Sequence, residues 1–233
     1  MVAMALKQVK SGVEWIAGCC QSVMASFYSA YVSLLNVGFY LRYPILFRFD
    51  LFLWVFYKTQ YSFSQNRFEK SKIDKDPTEL TYGETPYASL NKALKSIPLQ
   101  PGMRFYDLGC GRGKTLLFTH RRFKLNCVGV ELMPTYVKTF KHFLKNHRLD
   151  PIPCVNDDFF SINFDDADII FLAWTCMGVQ NTKSMTRKLL GIKKGCVVLT
   201  TSSPVQSDNF KLLKTMVVPF SWGLGHLYIQ EKC

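Results

Sequence analysis

The 233-residue chain is short of acid. Seventeen Asp and Glu stand against 29 Lys and Arg, a formal net charge of +12. A surface of that sign attracts nucleic acid, anionic lipid or an acidic protein, and does not choose among them. There is no CxxC pair and no Cys/His cluster at metal spacing. The eight cysteines are scattered, apart from adjacent Cys19 and Cys20 in an apolar run. That excludes a structural metal site and a disulfide framework, so no metal is assigned. It points to reduced thiols in an intracellular protein, cytoplasmic or held at the cytoplasmic face of a membrane. No short apolar core leads to a small-residue cleavage site, which argues against a signal peptide. Internal repeats and low-complexity tracts are lacking. With 48% hydrophobic and 20% charged residues, the composition is that of a folded chain.

Charge is missing altogether from Trp15 to Leu41. As a helix this run is long enough to span a bilayer, with Lys7 and Lys10 before it and Arg42, Arg48 and Lys58 after it. Gln21, Asn36, several serines and two glycines dilute it. A second aromatic stretch, Tyr43 to Tyr57, is broken by Arg48 and Asp50. Three readings stay open for residues 13–57: a membrane anchor, an amphipathic segment lying on the membrane, and a helical prefix packed on the following domain. The organisation expected is an apolar helical prefix over 1–60, a polar linker and loop over 61–85, and one domain over 86–233.

From residue 86 strands and helices alternate. Helices are expected over Tyr87–Ser96, Lys114–Arg122, Pro134–His147 and Asn181–Leu190. Strands are expected over Met103–Asp107, Cys127–Glu131, Ile152–Val155, Asp168–Ala173 and Gly195–Thr201, then Leu212–Phe220 and Leu224–Gln230 joined by a Ser-Trp-Gly-Leu turn. The fold class is therefore α/β: a Rossmann-like, mostly parallel seven-stranded sheet that ends in an antiparallel hairpin, after an apolar helical segment.

The first strand runs into Asp107-Leu108-Gly109-Cys110-Gly111-Arg112-Gly113. Glycines between a strand and a helix let backbone turn tightly and approach a ligand closely. Glu131 ends the second strand, where a carboxylate can accept from both hydroxyls of a ribose. Asp107 suits a cationic amino group and would repel a dinucleotide pyrophosphate. Asp158-Phe159 follows the third strand. The acid can accept from an adenine amino group, and the ring can pack on the base. Together with the terminal hairpin, these residues favour S-adenosyl-L-methionine over NAD as the cofactor.

In order along residues 81–231 the chain resembles the non-SET lysine methyltransferases of the disruptor-of-telomeric-silencing type, a branch of the class I enzymes. Tyr82-Gly83-Glu84-Thr85 is similar to that family's YGET loop, Asp107 to Gly111 to its DLGSG, and Gly129-Val130-Glu131 to its GVE. Asp158-Phe159 falls on its GDF, with Asp157 in place of the glycine. Ile169 to Leu172 is similar to the strand entering its NNF motif, Leu190 to Gly195 to its approach to the next strand, and Ser221-Trp222 to the SW before its last strand. The resemblance implies a cofactor site of Tyr82, Glu84, Thr85, Asp107, Gly109, Cys110, Gly111, Glu131, Asp158 and Phe159. It implies methylation of a lysine side chain, with a protein of acidic surface as partner.

The chain departs from the family after the fourth strand, where Ala173-Trp174-Thr175 replaces the asparagines. That puts the substrate in doubt more than the cofactor. Tyr82, Trp174 and Thr175 are the catalytic candidates, with Phe220 and Trp222 as further walls of an aromatic channel. RNA or small-molecule methylation on the same fold, and a non-catalytic membrane-associated module, are the alternatives. No Asp-Pro-Pro-Tyr signature for an exocyclic amine is present. Pro153-Cys154 reads as core, Cys176 has no partner motif, and His120, His142, His147 and His226 form no triad with a nucleophile elbow.

Overall fold

A computed structural model of the chain describes residues 24–59, 69–73, 75, 76 and 78–233. Two helices lead: α1 over residues 24–42 and α2 over Pro44–Thr59. They are followed by α3 (Tyr87–Leu94), β1 (Arg104–Leu108), α4 (Lys114–Phe123), β2 (Asn126–Glu131), α5 (Pro134–Asn146), β3 (Cys154–Asn156), β4 (Ile169–Leu172), α6 (Val179–Leu189), β5 (Val197–Thr201), β6 (Phe210–Phe220) and β7 (Gly223–Lys232). The strands form one sheet in the order β3-β2-β1-β4-β5-β7-β6. The first five are parallel, and β7 runs antiparallel to both β5 and β6. This is the Rossmann-like sheet with a closing hairpin that the strand–helix alternation leads one to expect.

Element ends differ from the sequence reading in small ways with local causes. Pro153 has no N–H to give a ladder, so β3 starts two residues later than expected, at Cys154. β6 starts two residues earlier than expected, at Phe210, β7 is longer at both ends, and the turn shrinks to Ser221-Trp222. A register shift between Leu212 and Lys214 accommodates an extra residue in β6.

Both faces of the central strands are buried, which is why β4 reads as an unbroken apolar run. Odd and even residues part company. Phe105, Ile169, Phe171, Leu199 and Ile229 pack under α2 to α5, while Tyr106, Leu108, Ile170, Leu172 and Val198 pack under α6 through Met185 and Leu189.

The prefix shares the first of these cores. Leu46, Phe49 and Leu53 of α2 are buried in it, and the Phe49 ring lies 4.5 Å from Phe143 of α5. In α1 the Phe39 ring meets Phe118 edge-on at 5.3 Å, and the buried Asn36 accepts the Ala88 N–H at 3.3 Å. The Trp15–Leu41 run is therefore no lipid-spanning rod over its described part, because its inner side is packed on the domain. Residues 15–23 of that run lie outside the described residues. Among the described residues no helix is long and apolar enough to cross a membrane.

Candidate functional site

A cavity of about 400 Å³ opens at the carboxyl ends of β1, β2 and β4. The strand order reverses between β1 and β4, the place where open α/β sheets take ligands. It is lined on one side by the glycine loop, Glu131 and Asp158-Phe159, and on the other by residues 79–85, Ala173 to Met177 and Trp222. Of the sequence candidates, all but Phe220 line it. Phe220 is buried behind, stacked on Trp222 at 4.6 Å.

The glycine loop follows β1 and is pinned to β2, with the Gly109 and Cys110 N–H groups both donating to Val130 O. Gly111 has φ +54°, and a Cβ there would lie 2.7 Å from the Tyr82 ring. Tyr82 thus lies directly on the loop. Cys110 turns its side chain inward, with Sγ 3.6 Å from Cys154 Sγ. That contact and burial push its thiol pKa up. With its N–H given to Val130 O, Cys110 keeps only its carbonyl oxygen for a ligand.

Asp107 is buried at the end of β1, and its Oδ2 has no hydrogen-bond partner among the described residues. Burial first, and the nearby Glu131 second, push its carboxyl up to about 8. An orphaned acceptor in a ligand-sized cavity is a site for a donor from outside the chain, and a cation fits best. Glu131 is better provided for. Its Oε2 accepts the Gly111 N–H and its Oε1 the Met133 N–H, both at 2.8 Å. Burial still raises its carboxyl pKa. Each oxygen keeps a second lone pair for hydroxyl donors.

The Asp158 carboxylate is already engaged. Oδ1 accepts the Phe160 N–H at 3.0 Å, and Oδ2 pairs with Lys75 at 2.9 Å. Lys75 competes there with any base edge, a contact the sequence did not announce. Phe159 lies half-buried beside Phe160 at 5.0 Å.

The Tyr82–Thr85 loop is held by charges that sequence reasoning missed. Glu84 accepts from Tyr82 Oη at 2.8 Å and from Lys114 Nζ at 2.7 Å, with Arg112 at 3.7 Å. Lys114 also reaches Asp50 of α2 at 3.2 Å. Burial raises the Glu84 carboxyl most, but Lys114, Tyr82 and Arg112 together outweigh it and the net shift is down. Burial likewise opposes charge on Lys114, yet Glu84 and Asp50 drive its pKa up. The Arg112 guanidinium sits over the rings of Tyr57 and Tyr82 at 3.8 and 4.2 Å. The available signal was two basic residues alternating with the last loop glycines, opposite an acid in YGET. Glu79 was missed as well. Its carboxylate accepts the Gly178 N–H and the Asn181 side chain, each at 2.6 Å, tying the loop to the start of α6.

At the other end of the cavity, Trp174 is buried and its indole N–H donates to Ser203 O at 2.9 Å. Thr175 joins a hydroxyl cluster, 3.0 Å from Thr201 and 2.9 Å from Ser202. Trp222 packs against Gly83, where a Cβ would come within 2.3 Å of the ring, and stays 44% exposed at the mouth.

Residues 61–217 match the family described as Histone methylation protein DOT1. The chain belongs to that family. Its fold is that of the class I S-adenosyl-L-methionine-dependent methyltransferases. A stretch of 57 residues is 40% identical to hydroxymycolate synthase MmaA4 of Mycobacterium tuberculosis, covering 24% of this chain and 19% of that protein. The match thus spans about a fifth of that relative. Among solved structures, TrmN from Thermus thermophilus superposes with a TM-score of 0.57 at 17% identity, over 67% of this chain and 52% of that one. An RNA methyltransferase from Salinibacter ruber, in complex with S-adenosyl-L-homocysteine, gives 0.54 at 18% identity, over 64% and 92%. At these identities the two structures speak for the fold alone.

Proposed function

We propose that the enzyme methylates a lysine side chain of a protein with an acidic surface. The observation that carries this reading is the acceptor end of the cavity, walled by Tyr82, Trp174 and Trp222 beside the neutral Thr175–Thr201–Ser202 hydroxyl cluster. An ammonium group is drawn to aromatic faces. Desolvation there then lowers its pKa, so that the attacking amine is neutral without a strong base.

For the donor half, Asp107 would hold the cationic amino group through its unpartnered Oδ2. Glu131 would take the ribose hydroxyls and Phe159 would pack on the base, with Asp158 available once Lys75 yields. Gly109, Cys110 and Gly111 would offer backbone carbonyl oxygens, their N–H groups donating to Val130 O and Glu131, with Tyr82, Glu84 and Thr85 closing over them. The cofactor, when bound, supplies an electrophilic methyl group on a sulfonium sulfur. The chain's part is to align the amine and keep water out, with Tyr82 and Trp222 as walls and the Thr175 hydroxyl orienting the nitrogen.

The +12 net charge serves a second reading equally well, RNA as substrate, with contacts to phosphate and steep salt dependence. Incubation of the enzyme with lysate and radiolabelled S-adenosylmethionine, followed by separate protease and nuclease digestion, separates the two. Label lost to protease and recovered by mass spectrometry as methyl-lysine supports the proposal. Label that survives protease but not nuclease overturns it.

A further inference from the structure

The inner side of α1 is bound to the domain, but its outer side is exposed and, among the described residues, packs on no other element. Phe27, Leu34 and Leu41, at helical spacing, are 74%, 70% and 80% exposed. After the one-residue break at Tyr43 the pattern resumes on α2, where Phe47, Leu51 and Trp54 are about half exposed at 52%, 49% and 58%. Soluble surfaces rarely keep six large apolar side chains exposed on two consecutive helices without a partner.

The charges on these two helices are one-sided. Arg42, Arg48 and Lys58 are exposed. The only acid in residues 24–58 is Asp50, and it is turned inward. It accepts from Tyr40 at 2.7 Å and Tyr87 at 2.8 Å, and pairs with Lys114. Neither helix therefore places a carboxylate on the outer face among the described residues. Lys58 stands over the Trp54 ring at 5.0 Å, an apolar body with a cationic tip.

We propose that the outer faces of α1 and α2 are a docking surface for an anionic lipid bilayer. The helices lie in the interface, with apolar side chains in the acyl boundary and arginines at the headgroups. Spanning is not part of the proposal, because the inner sides are committed to the domain. A second copy of the chain is the poorer occupant. Two-fold pairing of this face would bring Arg42 and Arg48 of both copies together with no outward acid to offset them. Docking also sets one end of the cavity beside the membrane. On the inner side of α1, Tyr28 Oη donates to Phe220 O at 2.9 Å, and Phe220 stacks on Trp222 at the mouth.

The test is sedimentation of the full chain with vesicles. Binding is expected to phosphatidylcholine–phosphatidylserine vesicles, to fall as salt is raised, and to be weak on phosphatidylcholine alone. The variant Phe27→Ser/Leu34→Ser/Leu51→Ser/Trp54→Ser should bind about tenfold or more weakly. Arg42→Gln/Arg48→Gln should lose roughly fivefold per charge. Both variants should keep the parent's melting temperature and affinity for S-adenosylhomocysteine, which also separates this test from the substrate assignment. Absence of binding to either vesicle overturns the proposal, as does binding indifferent to both variants. A concentration-dependent dimer that the serine variant dissolves would give the face to a second copy instead.

Discussion

At the scale of single residues, Asp107 carries the most information. Its carboxyl lies at about 8 against an ordinary 3.8, so the folded state holds a proton that the unfolded chain has released. Stability without ligand therefore falls as pH climbs from about 4 to about 8. Asp107→Asn removes that penalty. The variant should melt at the parent's temperature or higher at pH 8, and the difference should close by pH 5. Its cofactor binding should move the other way. Loss of a charge-assisted contact to the amino group costs about 1.5–3 kcal/mol, roughly ten- to a hundredfold in Kd for S-adenosylhomocysteine. In the parent, binding near pH 6.5 should release a proton, and affinity should rise toward pH 8. Calorimetry in buffers of different ionisation heat reads all of this. An asparagine variant that binds like the parent would show that Asp107 does not meet the ligand's cation.

At the scale of elements, the glycine loop and α4 form one unit. Gly113 opens α4 with φ +83°, and a Cβ there would lie 2.5 Å from the buried Phe140 ring. Backbone strain and overpacking add, so Gly113→Ala should cost about 2–4 kcal/mol in urea unfolding. A cost under 0.5 kcal/mol would mean that the loop relaxes freely. The next residue couples α2 to the cofactor loop through Asp50–Lys114–Glu84. These side chains keep some solvent contact, so Lys114→Gln should cost only about 1–2 kcal/mol of stability. The KM for S-adenosylmethionine should rise with it, because Glu84 loses its nearest cation. A change in stability with unaltered KM would make the pair purely structural.

These two cases also show what a sequence can carry. The glycine spacing, the acids at strand ends and the period of the buried strands are local patterns, and they led to the sheet and to the rim of the cavity. The cage of Arg112 by Tyr57 and Tyr82, and the reach of Lys114 back to Asp50, join residues dozens of positions apart. Long-range pairing leaves no period to read. Trp174 was legible as a large side chain near the site. Its commitment to Ser203 O was not, because that bond depends on how the loop after β5 folds back.

At the scale of the whole molecule, the question is where the cooperative unit begins. The family match starts at residue 61, and the composition turns polar near there. Packing does not stop there. Leu46, Phe49 and Leu53 lie in the core beneath α5, where the Phe49 ring touches those of Phe140 and Phe143 at 5.8 and 4.5 Å. Each fully buried side chain of this kind contributes about 1.5–3 kcal/mol. The three together give roughly 4.5–9 kcal/mol, against the about 5–15 kcal/mol that holds a typical domain. A chain starting at residue 61 should therefore show no cooperative unfolding, despite retaining every residue that lines the cavity. Phe49→Ala in the full chain should cost about 3–5 kcal/mol and leave one transition, with far-UV and near-UV signals lost together. If the shortened chain unfolded cooperatively near the parent's midpoint, α2 would be an appendage. Sharing of one core makes the opposite the expected result: the surface that faces outward and the cavity that binds the cofactor stand or fall as one body.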